Sequence, residues 1–154
     1  MYHLKKIIIM RKLGNFSIDE LVCPHVYKAW GEVAWDWIDP RLFAFLDWFR
    51  AEINTEVYVN WPEKGFTQRG LRCNLCQLVK DQSKKNKTYN SAHVRFQAID
   101  FNVRGMTCDE VRKWLILHKE EMPVNIRMEA PDGIERVHID VCNNTDEKIK
   151  MFKG

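Results

Sequence analysis

Apolar and polar residues alternate without a break through "QAIDFNV". Ile99, Phe101 and Val103 share one side; Ala98, Asp100 and Asn102 share the other. Period two is the mark of a half-buried strand. "VNIRME" and "IERVHIDV" alternate in the same way. The Pro131-Asp132-Gly133 turn between them predicts an antiparallel pair. Elsewhere the period is helical. In "DPRLFAFLDWFRAEI", Leu42, Phe45, Leu46, Phe49 and Ile53 form one apolar stripe, with Asp39 placed to cap and Pro40 at the first helical position. Thr107 and Glu110 have capping-box spacing and open a second helix to about His118, with Val111, Trp114 and Leu115 inward. Ser17 and Glu20 repeat that spacing ahead of a short helix, and "EVYVNW" reads as a further strand. The lysine-rich run from Lys80 to Asn90 reads as a surface loop. The sum is α+β, a single domain over 1–154: a small, largely antiparallel sheet with helices packed on one face.

Bulk properties narrow this little. The chain has 154 residues, is 45% hydrophobic and carries a net charge of +3, an excess too small to argue for nucleic-acid binding. The apolar run Ile7–Met10 is far too short for an export signal or a membrane span. Synthesis in the cytoplasm is therefore expected, with the five cysteines as reduced thiols.

The candidate chemistry sits on two of the strand segments. His93, Asp100 and His138 supply two imidazoles and a carboxylate, a set that can hold Zn²⁺ and leave a fourth position for water. Alternation puts Asp100 and His138 on the polar faces of their strands, and His93, in the preceding turn, can fold back to join them. Zinc lowers the pKa of bound water from about 15.7 toward about 7, and a nearby carboxylate can then take its proton. Glu135 stands three residues before His138, where such a base is useful, but it precedes the regular strand, so the turn must aim it. Glu129 and Asp132 are the remaining carboxylates for that role.

Ser91, His93, Ala98 and Asp100 in "SAHVRFQAIDF", with Glu135 and His138 in "GIERVHIDV", resemble the zinc D-Ala-D-Ala carboxypeptidase/Hedgehog-type metallopeptidases. "RGLR" is similar to that family's "SGYR" element, with Arg72 at the arginine position, and the resemblance extends over roughly Phe16 to Val141. It implies the Hedgehog/DD-peptidase-like fold and a bound Zn²⁺ on His93, Asp100 and His138. Glu135 would be the general base. Arg72 would bind a substrate carboxylate or the developing oxyanion, and Ser91 would lie at the substrate. The family has Gly where this chain has Phe96; either the turn differs or Phe96 lines the substrate groove.

By the same resemblance the expected activity is hydrolysis of peptidoglycan stem peptides, as a D,D-carboxypeptidase or an endopeptidase of phage or prophage lytic type. It would act at the cell wall or periplasm as a monomer, with no nucleic-acid partner and no membrane span. The alternative is a non-catalytic, zinc-stabilised binding or phage structural module with the same fold.

Three features remain open. Cys73 and Cys76 in "CNLC" suit packed thiols, half of a metal site or a disulfide; without a second such pair, packing is favoured. Trp30, Trp35 and Trp37 are expected in the core rather than on sugar rings. His3, His25 and His118 lack partners at ligand spacing, and Asp140 is either a partner of His138 or solvated.

Overall fold

A computed structural model describes residues 12–85 and 88–154. The Ile7–Met10 run and His3 lie outside them. Four α-helices are described: α1 (Pro24–Trp30), α2 (Pro40–Ile53), α3 (Gln77–Lys85) and α4 (Cys108–Leu117). The strands are β1 (Val57–Tyr58), β2 (Ala98–Val103), β3 (Ile126–Glu129), β4 (Val137–Asp140) and β5 (Ile149–Phe152). No helix among the described residues is long and apolar enough to cross a membrane.

The five strands form one sheet in the order β1-β2-β4-β3-β5. The pairs β1·β2, β2·β4 and β3·β4 are antiparallel, but β5 runs parallel to β3. The sheet is thus mixed rather than purely antiparallel. "IKMF" carries no strand signal of its own: it is only four residues long and none of them is fully buried. The parallel ladder from Ile126↔Ile149 to Glu129↔Phe152 fixes it by backbone pairing instead.

The two long helices form where the apolar stripes lie. The Asp39 carboxylate accepts from the Arg41 backbone N–H at 2.9 Å to cap α2. The Thr107–Glu110 box closes around α4. Phe49 of α2 stacks on Phe45 and meets Phe101 of β2 and Trp114 of α4 edge-on, at 5.3 and 5.6 Å. Ile99, Phe101, Val137 and Ile139 complete this core, all fully buried. The opposite face is not bare. Residues 80–85, the first part of the run expected as loop, instead belong to α3, whose Leu78 and Gln82 line a cleft over the polar side of the sheet. Trp35 is core, as expected. Trp30 and Trp37 are instead exposed, edge-to-face at 5.4 Å.

A second, local device brings the segment 69–72 against β2. The Arg69 carbonyl accepts from Asp100 N–H at 2.8 Å. Leu71 N–H donates to Leu21 C=O, and Cys23 N–H donates to Leu71 C=O, both at 2.9 Å. The Asn60 side chain ties the same region together, donating to Asp19 and Val22 carbonyls and accepting from Arg69 N–H. Gly70 permits the approach: a Cβ there would lie 1.9 Å from the Leu21 carbonyl oxygen. Gly70→Ala is therefore expected to lower the unfolding free energy by about 3 kcal/mol or more, since backbone rather than a flexible side chain must move. Urea unfolding checks this; a loss below about 1 kcal/mol would mean that the two segments separate easily.

Candidate metal centre

Asp100 and His138 are register partners across β2 and β4. Being directly opposite, they project to the same face, away from the Ile99–Ile139 core pair. His93 reaches them from the 3₁₀ turn Ala92–Arg95, which leads into β2. The ligand atoms converge. His93 Nε2 is 3.3 Å from His138 Nδ1 and 3.4 Å from Asp100 Oδ2; His138 Nδ1 is 2.8 Å from Asp100 Oδ1. Around an ion with tetrahedral bonds of about 2.0–2.1 Å, neighbouring ligand atoms stand about 3.3–3.4 Å apart. Two of the three separations match that spacing. The third, 2.8 Å, is a direct His138–Asp100 hydrogen bond that an ion would replace, so these three residues could hold a divalent ion.

Each ligand is oriented from behind. His93 Nδ1 lies 2.9 Å from the Gly70 carbonyl; donation there leaves Nε2 with its lone pair toward the site. Asp140 is buried and bonds the far side of His138, 3.3 Å from Nε2, while Arg127 grips both Asp140 oxygens at 2.8 and 2.9 Å. Asp140 is thus a partner of His138, not a solvated surface residue.

Charge follows from this geometry. Burial presses His138 toward the neutral form, but hydrogen bonds and charge from Asp100 and Asp140 outweigh it and lift its pKa to about 9. Burial dominates at His93 and lowers its pKa, with Asp100 opposing. Burial would raise Asp100, yet His138 and His93 hold it well below the usual carboxylate range. Metal-free at neutral pH, the site is an imidazolium between two carboxylates, with a neutral imidazole beside it.

The three residues lie in a cleft of about 710 Å³, lined also by Arg72, Ser91, Tyr89, Glu129, Arg136 and Phe152. Arg72 enters it as anticipated, donating to Asp100 Oδ2 at 2.9 Å. Ser91 lines it too, and its buried hydroxyl oxygen has no hydrogen-bond partner among the described residues.

Two of the expected site residues lie outside the cleft. Glu135 is exposed and lines a neighbouring cavity with Cys108 and Arg112, not the cleft. It is an odd number of residues from His138, so where alternation persists it faces away; Arg136, an even number away, faces in. The carboxylate that does line the cleft is Glu129. The register Arg127↔Asp140 and Met128↔Ile139, carried one step on, sets it opposite His138. Phe96, considered for the groove, is 1% exposed and packs in the core. It keeps the left-handed conformation a glycine would favour, φ 53°, at the end of the 92–95 turn. The strain of about 1–2 kcal/mol is offset by burying the ring.

Arg136 is the residue missed by sequence reasoning. It donates to Glu129 at 2.8 Å and lies 3.4 Å from Asp100 Oδ1. Its position two residues before His138, on the same strand face, was the available signal. Comparison with family models, with curated proteins and with solved structures yields no match.

The charge state has a measurable consequence. A His whose pKa rises on folding adds stability that is complete below its ordinary value of 6.5 and is lost as pH rises through about 9. With chelator present, the protein should lose on the order of 1–2 kcal/mol of stability between about pH 6.5 and 8.5. His138→Gln should abolish that slope. An equal slope in wild type and variant, measured by urea unfolding, would assign it to another group.

Proposed function

We propose that the chain is a zinc-dependent peptidase acting on peptidoglycan stem peptides, with the Hedgehog/DD-peptidase-like fold. The observation carrying this reading is the convergence of His93, Asp100 and His138 at ligand spacing on one side of an open cleft that also holds two guanidinium groups and a carboxylate. The resemblance of "SAHVRFQAIDF" and "GIERVHIDV" to the metallopeptidase motifs supplies the substrate class.

His93, Asp100 and His138 would hold the ion. When bound, zinc supplies a water acidic enough to attack at neutral pH and polarises the scissile carbonyl. The remaining work falls to the chain. Arg72 and Arg136 face the cleft beside Asp100, and their planar forks suit a substrate carboxylate or a developing oxyanion. Glu129, opposite His138, accepts the proton of the attacking water on a carboxylate oxygen and returns it to the leaving nitrogen. Arg136 holds that carboxylate in place. Leu78, Tyr89 and Phe152 provide apolar walls for the peptide.

A zymogram on purified cell wall, with and without chelator, tests the reading. Clearing that depends on zinc, with new amino termini in the digest, is expected. Zinc binding without any cleavage would favour the non-catalytic module. Glu129→Gln should keep fold and metal but lose turnover by about two to four orders of magnitude, as for loss of a general base. Glu135→Gln should stay near wild type. The reverse result would restore the Glu-x-x-His assignment and require the 131–136 turn to rearrange around substrate. Arg72→Lys keeps charge but loses the fork. It is expected to lower kcat/KM about tenfold to a thousandfold at unchanged zinc content; an unaltered kcat/KM would remove Arg72 from substrate binding.

A further inference from the structure

Away from the cleft, Cys23, His25, Cys73 and Cys76 bring one ligand atom each to within 4.8 Å of all the others. They come from two chain segments. Cys23 precedes α1 and His25 lies in its first turn; Cys73 and Cys76 form the turn that leads into α3. Cys73 Sγ stands 4.0 Å from Cys76 Sγ, and Cys76 Sγ stands 3.8 Å from His25 Nδ1. Around a tetrahedral ion with Zn–S of about 2.3 Å and Zn–N of about 2.05 Å, those separations are about 3.8 and about 3.6 Å. A disulfide needs about 2.05 Å between sulfurs, so Cys73 and Cys76 are apart as thiols. Packing alone accounts for buried thiols. It gives no reason for an exposed histidine to turn a ring nitrogen onto one of them, nor for the Leu75 N–H to point at Cys73 Sγ at 3.4 Å.

We propose that Cys23, His25, Cys73 and Cys76 bind a second, structural zinc ion. Four protein ligands close the coordination shell, and a sulfur-rich set selects zinc over magnesium or calcium. This site differs in kind from the open His93, Asp100 and His138 set, and it would bind metal even in a chain without peptidase activity. Its role follows from what it braces. The span from Gly70 to Arg72 lies directly before Cys73 and is bonded to Leu21 and Cys23. From that span the Gly70 carbonyl orients His93, and Arg72 N–H donates to the His93 carbonyl at 3.2 Å. An ion linking Cys23 and His25 to Cys73 and Cys76 would clamp both ends of this connection.

Cobalt(II) titration of the full, reduced chain distinguishes the two sites, because only this one contains sulfur. A thiolate-to-cobalt charge-transfer band saturating at one equivalent, with the intense visible bands of tetrahedral cobalt, is expected. Cys76→Ser should abolish the charge-transfer band, and His25→Ala should weaken or shift it. Should Cys76→Ser fail to fold, the wild-type chain still decides. Zinc should slow alkylation of Cys73 at least tenfold while leaving Cys108, outside the cluster, unchanged. Absence of a charge-transfer band, or equal alkylation of Cys73 with and without zinc, would overturn the proposal. A Cys73–Cys76 disulfide in protein purified from a reducing cytosol would do the same. None of these readouts depends on hydrolysis.

Discussion

Asp100 faces His138 across the antiparallel ladder of β2 and β4, and the adjacent rung pairs Ile99 with Ile139. That register divides the sheet into an apolar side under α2 and α4 and a polar side that carries the chemistry. A slip of one residue would put a carboxylate and an imidazole into the aromatic core and expose isoleucines in their place. Desolvating those groups without partners would cost several kcal/mol each. Core packing and site geometry are therefore enforced by the same contacts. The site inherits its precision from Phe49, Phe101 and Trp114, none of which touches it.

Most of this architecture was legible because local signals agree with one another. The caps at Asp39 and Thr107, the helical stripe of α2 and the alternation of β2, β3 and β4 each point to the element that forms. The convergence of His93, Asp100 and His138 was also legible, since parity along the strands fixes the face of two of them. What escaped depends on long-range pairing. The strand β5 is four residues long with no fully buried side chain, and it exists through its ladder with β3. α3 is strongly polar and rests against the rest of the molecule largely through Val79. His25 and Cys76 are far apart in sequence, so spacing rules could not join them. Glu135 lines the neighbouring cavity rather than the cleft for a different reason: a motif fixes an interval, whereas facing is decided by the backbone between.

The cleft and the adjoining pocket beside His138 together combine three anionic groups, Asp100, Glu129 and Asp140, with Arg72, Arg136 and Arg127. Every one of these carboxylates is buried and every one is engaged by a guanidinium. Buried charge is tolerated when it is paired and hydrogen-bonded, and expensive otherwise. Arginine suits this task better than lysine because one planar head can serve two acceptors, as Arg136 does for Glu129 and Asp132.

That pairing bears on the order in which the molecule matures. Asp100 has Arg72 and the protonated His138 as neighbours without any ion present. The polar face can thus assemble during folding with cations the chain itself provides, and a divalent ion entering there would have to displace the His138 proton. The polar face therefore does not depend on an ion for its assembly: the charges that hold it together are built into the chain.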